Sequence, residues 1–222
     1  MGVLSRFVCE ALELRRLMAT DPIISEFVAS NSTGLTDADG AYSDWLEIYN
    51  PGDAAVDMTG WRLTDTAANP ALWTFPEMSL AAGERRIVFA SDKNRLDPAG
   101  ELHTNFKLSA GGEYLALFMP DGITTSSQFN PFPAQSANVS FGVPDSDPNA
   151  VRFFSPPTPG AANGEGLQTA VGNITFGVDR GFFDTPFQLA LTTDTTGASI
   201  RYTLDGTVPS PTSGILLSLI HI

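Results

Sequence analysis

From Pro22 onward the apolar residues of this chain fall into short runs, each closed by turn-forming residues a few positions later. Residues 23–29, Ile-Ile-Ser-Glu-Phe-Val-Ala, read as a first strand, and a polar loop rich in Asp and Gly follows. Residues 45–49 form the next apolar run, ended by Asn50-Pro51-Gly52. That cluster combines a side-chain mimic of the backbone, a fixed φ and a residue tolerant of positive φ. A short alternating run at 55–58 and a Thr59-Gly60 turn lead to a further strand at 61–64. The pattern predicts more strands at 72–76, 78–80, 85–90, 106–108, 114–118 and, after the hairpin dipeptide Asp121-Gly122, at 123–125. Strands recurring every 8–12 residues or so, with turn residues between, predict a sandwich or barrel.

The two ends differ from this middle. In residues 1–21, Leu4, Phe7, Val8, Ala11 and Met18 sit at helical spacing with charges between them. Glu10, Glu13, Arg15 and Arg16 interrupt any secretory h-region, and a frayed, partly helical extension remains an open reading. Residues 155–166 are rich in Pro, Gly and Ala without an apolar period, which predicts a linker at a domain end. A second β unit begins at 167, with runs at 174–176, 187–191 and 199–203.

The apolar fraction of 42% and charged fraction of 17% are those of a globular protein rather than a disordered tail. Of the formal charge of −13, residues 22–163 carry −10 and residues 164–222 carry −3. With no basic stripe to displace counterions, nucleic-acid binding is disfavoured. An acidic surface leaves room for a divalent cation or a cationic partner. Cys9 is the one cysteine, so an intrachain disulfide or a thiolate metal site is excluded. No apolar run reaches the roughly 18 residues of a membrane span.

Candidate chemistry is sparse. The histidines are His103 and His221, so a Ser–His–Asp arrangement would have to use His103. Its place between Leu102 and Thr104, ahead of a predicted strand, favours a structural role. Nucleophile-elbow, zincin and P-loop motifs are absent from the sequence, and nothing in it marks a catalytic carboxylate pair. In the loop 36–44, Asp37, Asp39 and Asp44 are the candidate calcium ligands, set against the plainer reading of an Asx turn at Asp39-Gly40. Trp45, Trp61 and Trp73 are read as core anchors in preference to a sugar-stacking platform. Phe129 and Phe132, in the stretch Phe-Asn-Pro-Phe-Pro, are candidate ligand-binding aromatics on a more exposed loop, or else a cover for a sheet face.

The stretch 44–65, DWLEIYNPGDAAVDMTGWRLTD, resembles the bacterial form of the lamin tail domain. The resemblance continues through LHTNFKLSAGGEYLALFMPDG and NVSFG to PTPGAAN at 157–163, covering about 22–163. It implies an immunoglobulin-like β-sandwich. Residues 197–209, GASIRYTLDGTVP, resemble the chitobiase/hexosaminidase C-terminal domain, whose members continue for two or three more strands. This implies a second, incomplete immunoglobulin-like sandwich at 167–216. Residues 10–19 resemble a LEPR-XLL surface-protein motif, with Leu14 in place of its proline and Met18 in place of its last leucine. Residues 217–222, LSLIHI, are similar to the conceptual translation of a sequencing-library transposon end, the alternative being a genuine final strand. On the first reading the natural protein is longer.

The fold class expected is therefore all-β. The function the resemblances imply is a non-catalytic binding or spacer module of a larger extracellular or cell-surface protein of bacterial type. Its expected partners are a polysaccharide, another surface protein, or downstream domains of the same chain. No cofactor is expected beyond the calcium candidate. The alternative expectation is the N-terminal region of an enzyme, a carbohydrate-active hydrolase or CotH-like kinase, whose catalytic domain lies beyond residue 216.

Overall fold

The computed structural model describes residues 21–169, 174–193, 195, 198–209 and 213–217, and among these there is no helix. The targeting-segment and adaptor readings of the two ends concern residues that lie almost wholly outside this set. In chain order the first strands are β1 (Ile23–Val28), β2 (Asp44–Tyr49), β3 (Val56–Asp57), β4 (Arg62–Thr64), β5 (Trp73–Thr74) and β6 (Ser79–Leu80). They are followed by β7 (Arg85–Ala90), β8 (Leu102–His103), β9 (Leu115–Phe118), β10 (Thr125–Phe129), β11 (Ser140–Gly142) and β12 (Arg152–Phe154).

Two sheets make the sandwich. One has six strands in the order β12-β11-β1-β2-β7-β8, the other four in the order β10-β9-β4-β5. Pairing is antiparallel except between β7 and β8. The main core lies between them, with Ile24, Phe27, Leu46, Ile48 and Val88 from the larger sheet meeting Leu63, Trp73, Leu115 and Leu117 from the smaller. Alternation along β2 and β7 accounts for this side of the sandwich. Trp61 and Trp73 belong to this core, whereas Trp45 packs with Val28 and Phe89 on the opposite face of the six-stranded sheet.

β1 breaks the alternation. Ile24 faces Ile48 and Glu26 faces Glu47, so one extra residue is accommodated at Ser25. A straight strand would put Ile24 and Glu26 on one face and Phe27 on the other. The bulge reverses the phase, so Ile24 and Phe27 both enter the core and Glu26 is turned outward beside Glu47. β11 is fitted closely to this irregularity. A Cβ on Gly142 would lie 2.1 Å from Ser25 O and 2.8 Å from Glu26 Cα, both immovable backbone atoms.

Three local expectations are corrected. The strand expected at 106–108 is reduced to a single bridge between Ser91 and Lys107, and the edge strand forms earlier, as β8. The strand expected at 123–125 starts at its end, because Asp121 accepts the N–H groups of Ile123 and Thr124 and the Thr124 hydroxyl and so holds 121–124 in a turn. Phe129 and Phe132 are not an exposed edge. They are 6% and 2% exposed and both pack edge-on against Phe27, at centroid distances of 5.1 and 4.7 Å. Both rings belong to the main core.

The second unit has two antiparallel pairs, β13 (Thr175–Phe176) with β14 (Leu191–Thr192) and β15 (Arg201–Tyr202) with β16 (Ile215–Leu216). Phe176, Phe182, Phe183 and Phe187 are exposed there, as in a sandwich with only part of its inner face covered.

Phe132→Ala should lower the unfolding free energy in urea by about 3–5 kcal/mol. A loss below about 1 kcal/mol would mean that the ring is solvated. Gly142→Ala should cost about 1–3 kcal/mol, since the new methyl meets backbone on two sides.

Candidate functional site

The densest polar cluster of the sandwich is the pair of glutamates that the β1 bulge sets side by side. Glu26 and Glu47 are both 0% exposed, on a sheet face that would otherwise meet solvent. The segment 156–163 lies over them and supplies their partners. Glu47 Oε1 accepts the Ser25 hydroxyl at 2.6 Å and Arg85 Nη1 at 2.8 Å, while its Oε2 accepts the Gly160 N–H at 2.6 Å. Arg85 is held over the Tyr49 ring, 3.8 Å from its centroid, and also reaches Asp145 Oδ2 at 2.6 Å. Glu26 meets the Ser140 hydroxyl, the Thr158 N–H at 2.9 Å and Thr158 Oγ1 at 3.0 Å. Asn163 closes the segment, donating from Nδ2 to Ser25 O and Val143 O at 3.0 and 2.8 Å. Burial pushes the Glu26 carboxyl above its ordinary value and the Glu47 charge adds to that, against the hydrogen bonds from Ser140 and Thr158.

Two neighbouring carboxylates are also the equipment of glycoside hydrolysis, where they flank an open cleft. Here backbone N–H groups of the covering segment occupy the oxygens a substrate would need. Residues 155–166, read from the sequence as a linker overlapping the domain end, are bonded to the sheet through Thr158, Gly160 and Asn163. Beyond them Leu167 exchanges two backbone hydrogen bonds with Phe153 on β12, of 2.9 and 2.7 Å. Glu26 and Glu47 were not singled out from the sequence. A signal was present, since each is an acid in the middle of a mostly apolar strand.

His103 meets a serine and a carboxylate. Its Nδ1 lies 2.8 Å from Ser91 Oγ and its Nε2 3.3 Å from Glu101 Oε2, with the ring stacked on Phe89 at 5.2 Å. Three features separate this set from a hydrolytic triad. The imidazole is 0% exposed. Glu101 Oε2 is already the acceptor for the Ala38 N–H at 2.8 Å. None of the three side chains lines either of the two hollows described here. The arrangement ties the edge strand β8 to the 37–44 loop.

The calcium candidates are divided. Asp37 accepts Lys93 Nζ at 2.5 Å, the Ser43 hydroxyl at 2.8 Å and the Asp39 and Ala41 N–H groups at 3.0 and 3.1 Å. Asp39 accepts Lys93 at 2.7 Å and Arg95 at 2.6 Å. Asp44 instead accepts the Asn31 N–H at 3.1 Å. Among the described residues no three His, Cys, Asp or Glu side chains are placed to hold a metal. The cation in this loop is the Lys93 ammonium. Burial alone would raise Asp37, but Lys93 and Ser43 outweigh it and hold the carboxyl well below the usual range.

One hollow, of about 220 Å³, opens beside Trp45 and is walled by Val28, Leu35, Pro156, Pro157 and Pro159. Asn31 and Asn138 also line it, but their amides serve the fold. Asn31 Nδ2 donates to Leu35 O and Ser43 O, and Asn138 Oδ1 accepts the Ser32 and Thr33 N–H groups. A second, shallow hollow is lined by Asp57, Thr59, Glu77, Met78 and Ser79.

Glu47→Ala removes the buried partner of Arg85, leaving it Asp145 alone, and should cost about 3–5 kcal/mol in urea unfolding, whereas Asp145→Ala, at the rim, should cost about 1 kcal/mol or less. Equal losses would show that the pair is screened by water. Asp37 has its folded value depressed, so its contribution is complete above the unfolded value near 3.9 and is lost as pH falls below it. The stability gap between wild type and Asp37→Asn should therefore narrow in acid-unfolding series below about pH 4.

The comparisons with known proteins follow the same division of the chain. The model of the Lamin Tail Domain family matches residues 18–129, which is 112 of 222 residues. The model of the Chitobiase/beta-hexosaminidase C-terminal domain matches residues 178–221. No curated protein matches the chain. The four-stranded sheet lies within the first match, and the six-stranded sheet extends past it, to β11 and β12. With an immunoglobulin-like all-β fold, and a family match over half its length, the chain belongs to the lamin tail domain family.

Proposed function

We propose that this chain is a non-catalytic module of a larger extracellular or cell-surface protein, in which the sandwich at 22–163 acts as a binding or spacing unit and the unit at 167–216 extends it. The observation that carries this reading is the use made of the reactive groups. Glu26 and Glu47 bond to the segment that covers them, and His103 bonds within the fold to Ser91 and Glu101. Asp37 and Asp39 bond to Lys93. Each cluster closes one part of the chain onto another instead of converging on an open cavity. Function resides in sites rather than folds, and these clusters do structural work.

The second family match supports an extracellular polysaccharide as the polymer contacted, because that domain is named for sugar-hydrolysing enzymes. The acidic surface argues against nucleic acid. Among the described residues no helix is long and apolar enough to cross a membrane. A position beside a catalytic domain of the same protein is the second reading, favoured by the same match.

Incubation of the full chain with chromogenic esters and glycosides should release no product above a blank. Turnover abolished by Ser91→Ala or His103→Ala would overturn the non-catalytic reading. The chain should be retained on insoluble chitin or cellulose more than serum albumin is. Equal retention on every glycan tested would remove the polysaccharide and leave the spacer.

A further inference from the structure

Around Glu26 there are more acceptors than protons. Thr158 Oγ1 lies 3.0 Å from Glu26 Oε2 and 2.9 Å from Asn163 Oδ1, and a hydroxyl has one proton to donate. Turning the Asn163 amide over brings no relief, because its Nδ2 is needed by Ser25 O and Val143 O. Ser140 meets the same shortage on the other side, between the Glu26 carboxyl and Phe154 O at 3.3 Å. If Glu26 is a carboxylate, oxygen lone pairs face each other in a site closed to solvent, which is costly. A proton on Glu26 Oε2 resolves the conflict at Thr158. Glu26 then donates to Thr158 Oγ1, and Thr158 donates to Asn163 Oδ1.

The surrounding charges point the same way. The groups facing Glu26 are Glu47 on β2 and, behind it, Arg85 on β7 and Asp145 after β11. Arg85 is the countercharge to Glu47 and Asp145. Arg152, on β12, hydrogen-bonds to Val151 O instead. Of the two adjacent buried carboxyls, only Glu47 is bonded to a cation. Glu47 holds the Arg85 guanidinium, so Glu26 is the member left to carry the proton.

We propose that the folded protein holds a proton on Glu26 and that this proton keeps the segment 156–163 closed over the outer face of the six-stranded sheet. Losing it sets a second negative charge beside Glu47 and removes the donor to Thr158. The closed state is then favoured fully below the unfolded glutamate value of about 4.3, and weakens about tenfold per pH unit above it until the folded value is passed. The same segment supplies Pro156, Pro157 and Pro159 to the wall beside Trp45 and Val28. Opening therefore bares an apolar surface, and the latch couples that exposure to pH.

The test uses the full chain labelled with ¹³C at glutamate side chains. The Glu26 carboxyl resonance is followed by NMR against pH, together with amide exchange at Thr158 and Gly160, corrected for intrinsic rates. The expected result is a Glu26 midpoint above the ordinary glutamate value of about 4.3, with protection at both amides falling about tenfold per pH unit from that value up to the midpoint. Glu26→Gln, whose Nε2 can donate to Thr158 as the protonated acid does, should stay protected with no such pH dependence. A Glu26 midpoint at or below the ordinary value overturns the proposal, as does a Glu26→Gln chain that keeps the wild-type pH dependence. Should that variant not fold, the wild-type titration alone decides.

Discussion

The sandwich depends on where one extra residue is inserted in β1. The bulge at Ser25 lets Ile24 and Phe27 share the core face and forces Glu26 to the outside, opposite Glu47. Two carboxyls then stand together on a sheet surface and must either be solvated or be matched. Matching requires partners from elsewhere in the chain, and the segment 156–163 brings the N–H groups of Thr158 and Gly160 and the Thr158 hydroxyl. The fold is thus closed by contacts between residues more than 110 positions apart in sequence. Gly142 belongs to the same solution, since only a residue without Cβ allows β11 to approach the bulge.

Strand identity was largely legible, because alternation in β2, β7 and β9 and the Asn-Pro-Gly, Thr-Gly and Asp-Gly turns act locally. Strand ends were less so. The 121–124 turn is set by one aspartate accepting three hydrogen bonds, which outweighs the β propensity of Ile123 and Thr124. For Phe129 and Phe132 the sequence left a binding edge and a covering role open, and only the fold, which packs both rings against Phe27, separates them. The Glu26–Glu47 cluster was not legible. Its neighbours come from β1, β2, β7, β11 and the 156–163 segment, and no local period connects them. Its trace was an acid in the middle of each of two mostly apolar strands.

The other polar clusters follow the same logic with different chemistry. Asp37 and Asp39 neutralise Lys93 and Arg95 across two loops, and His103 bridges Ser91 and Glu101 at the sheet edge. The local acidic motif left a metal and a plain turn both open, and in the fold its Asp37 meets a lysine from a loop more than fifty residues later. Composition alone does not separate the two cases. The partner's position in the fold does.

The Phe153–Leu167 pairing has a mechanical consequence. Its two hydrogen bonds cap the β12 edge of the six-stranded sheet just where the chain leaves for the second unit. Tension on the chain from the C-terminal side is met first by this short clasp. Once it parts, the pull passes to Asn163, Gly160 and Thr158, and through them to the centre of the sheet at β1 and β2. A molecule tethered through its C-terminal side would yield in that order, edge before centre.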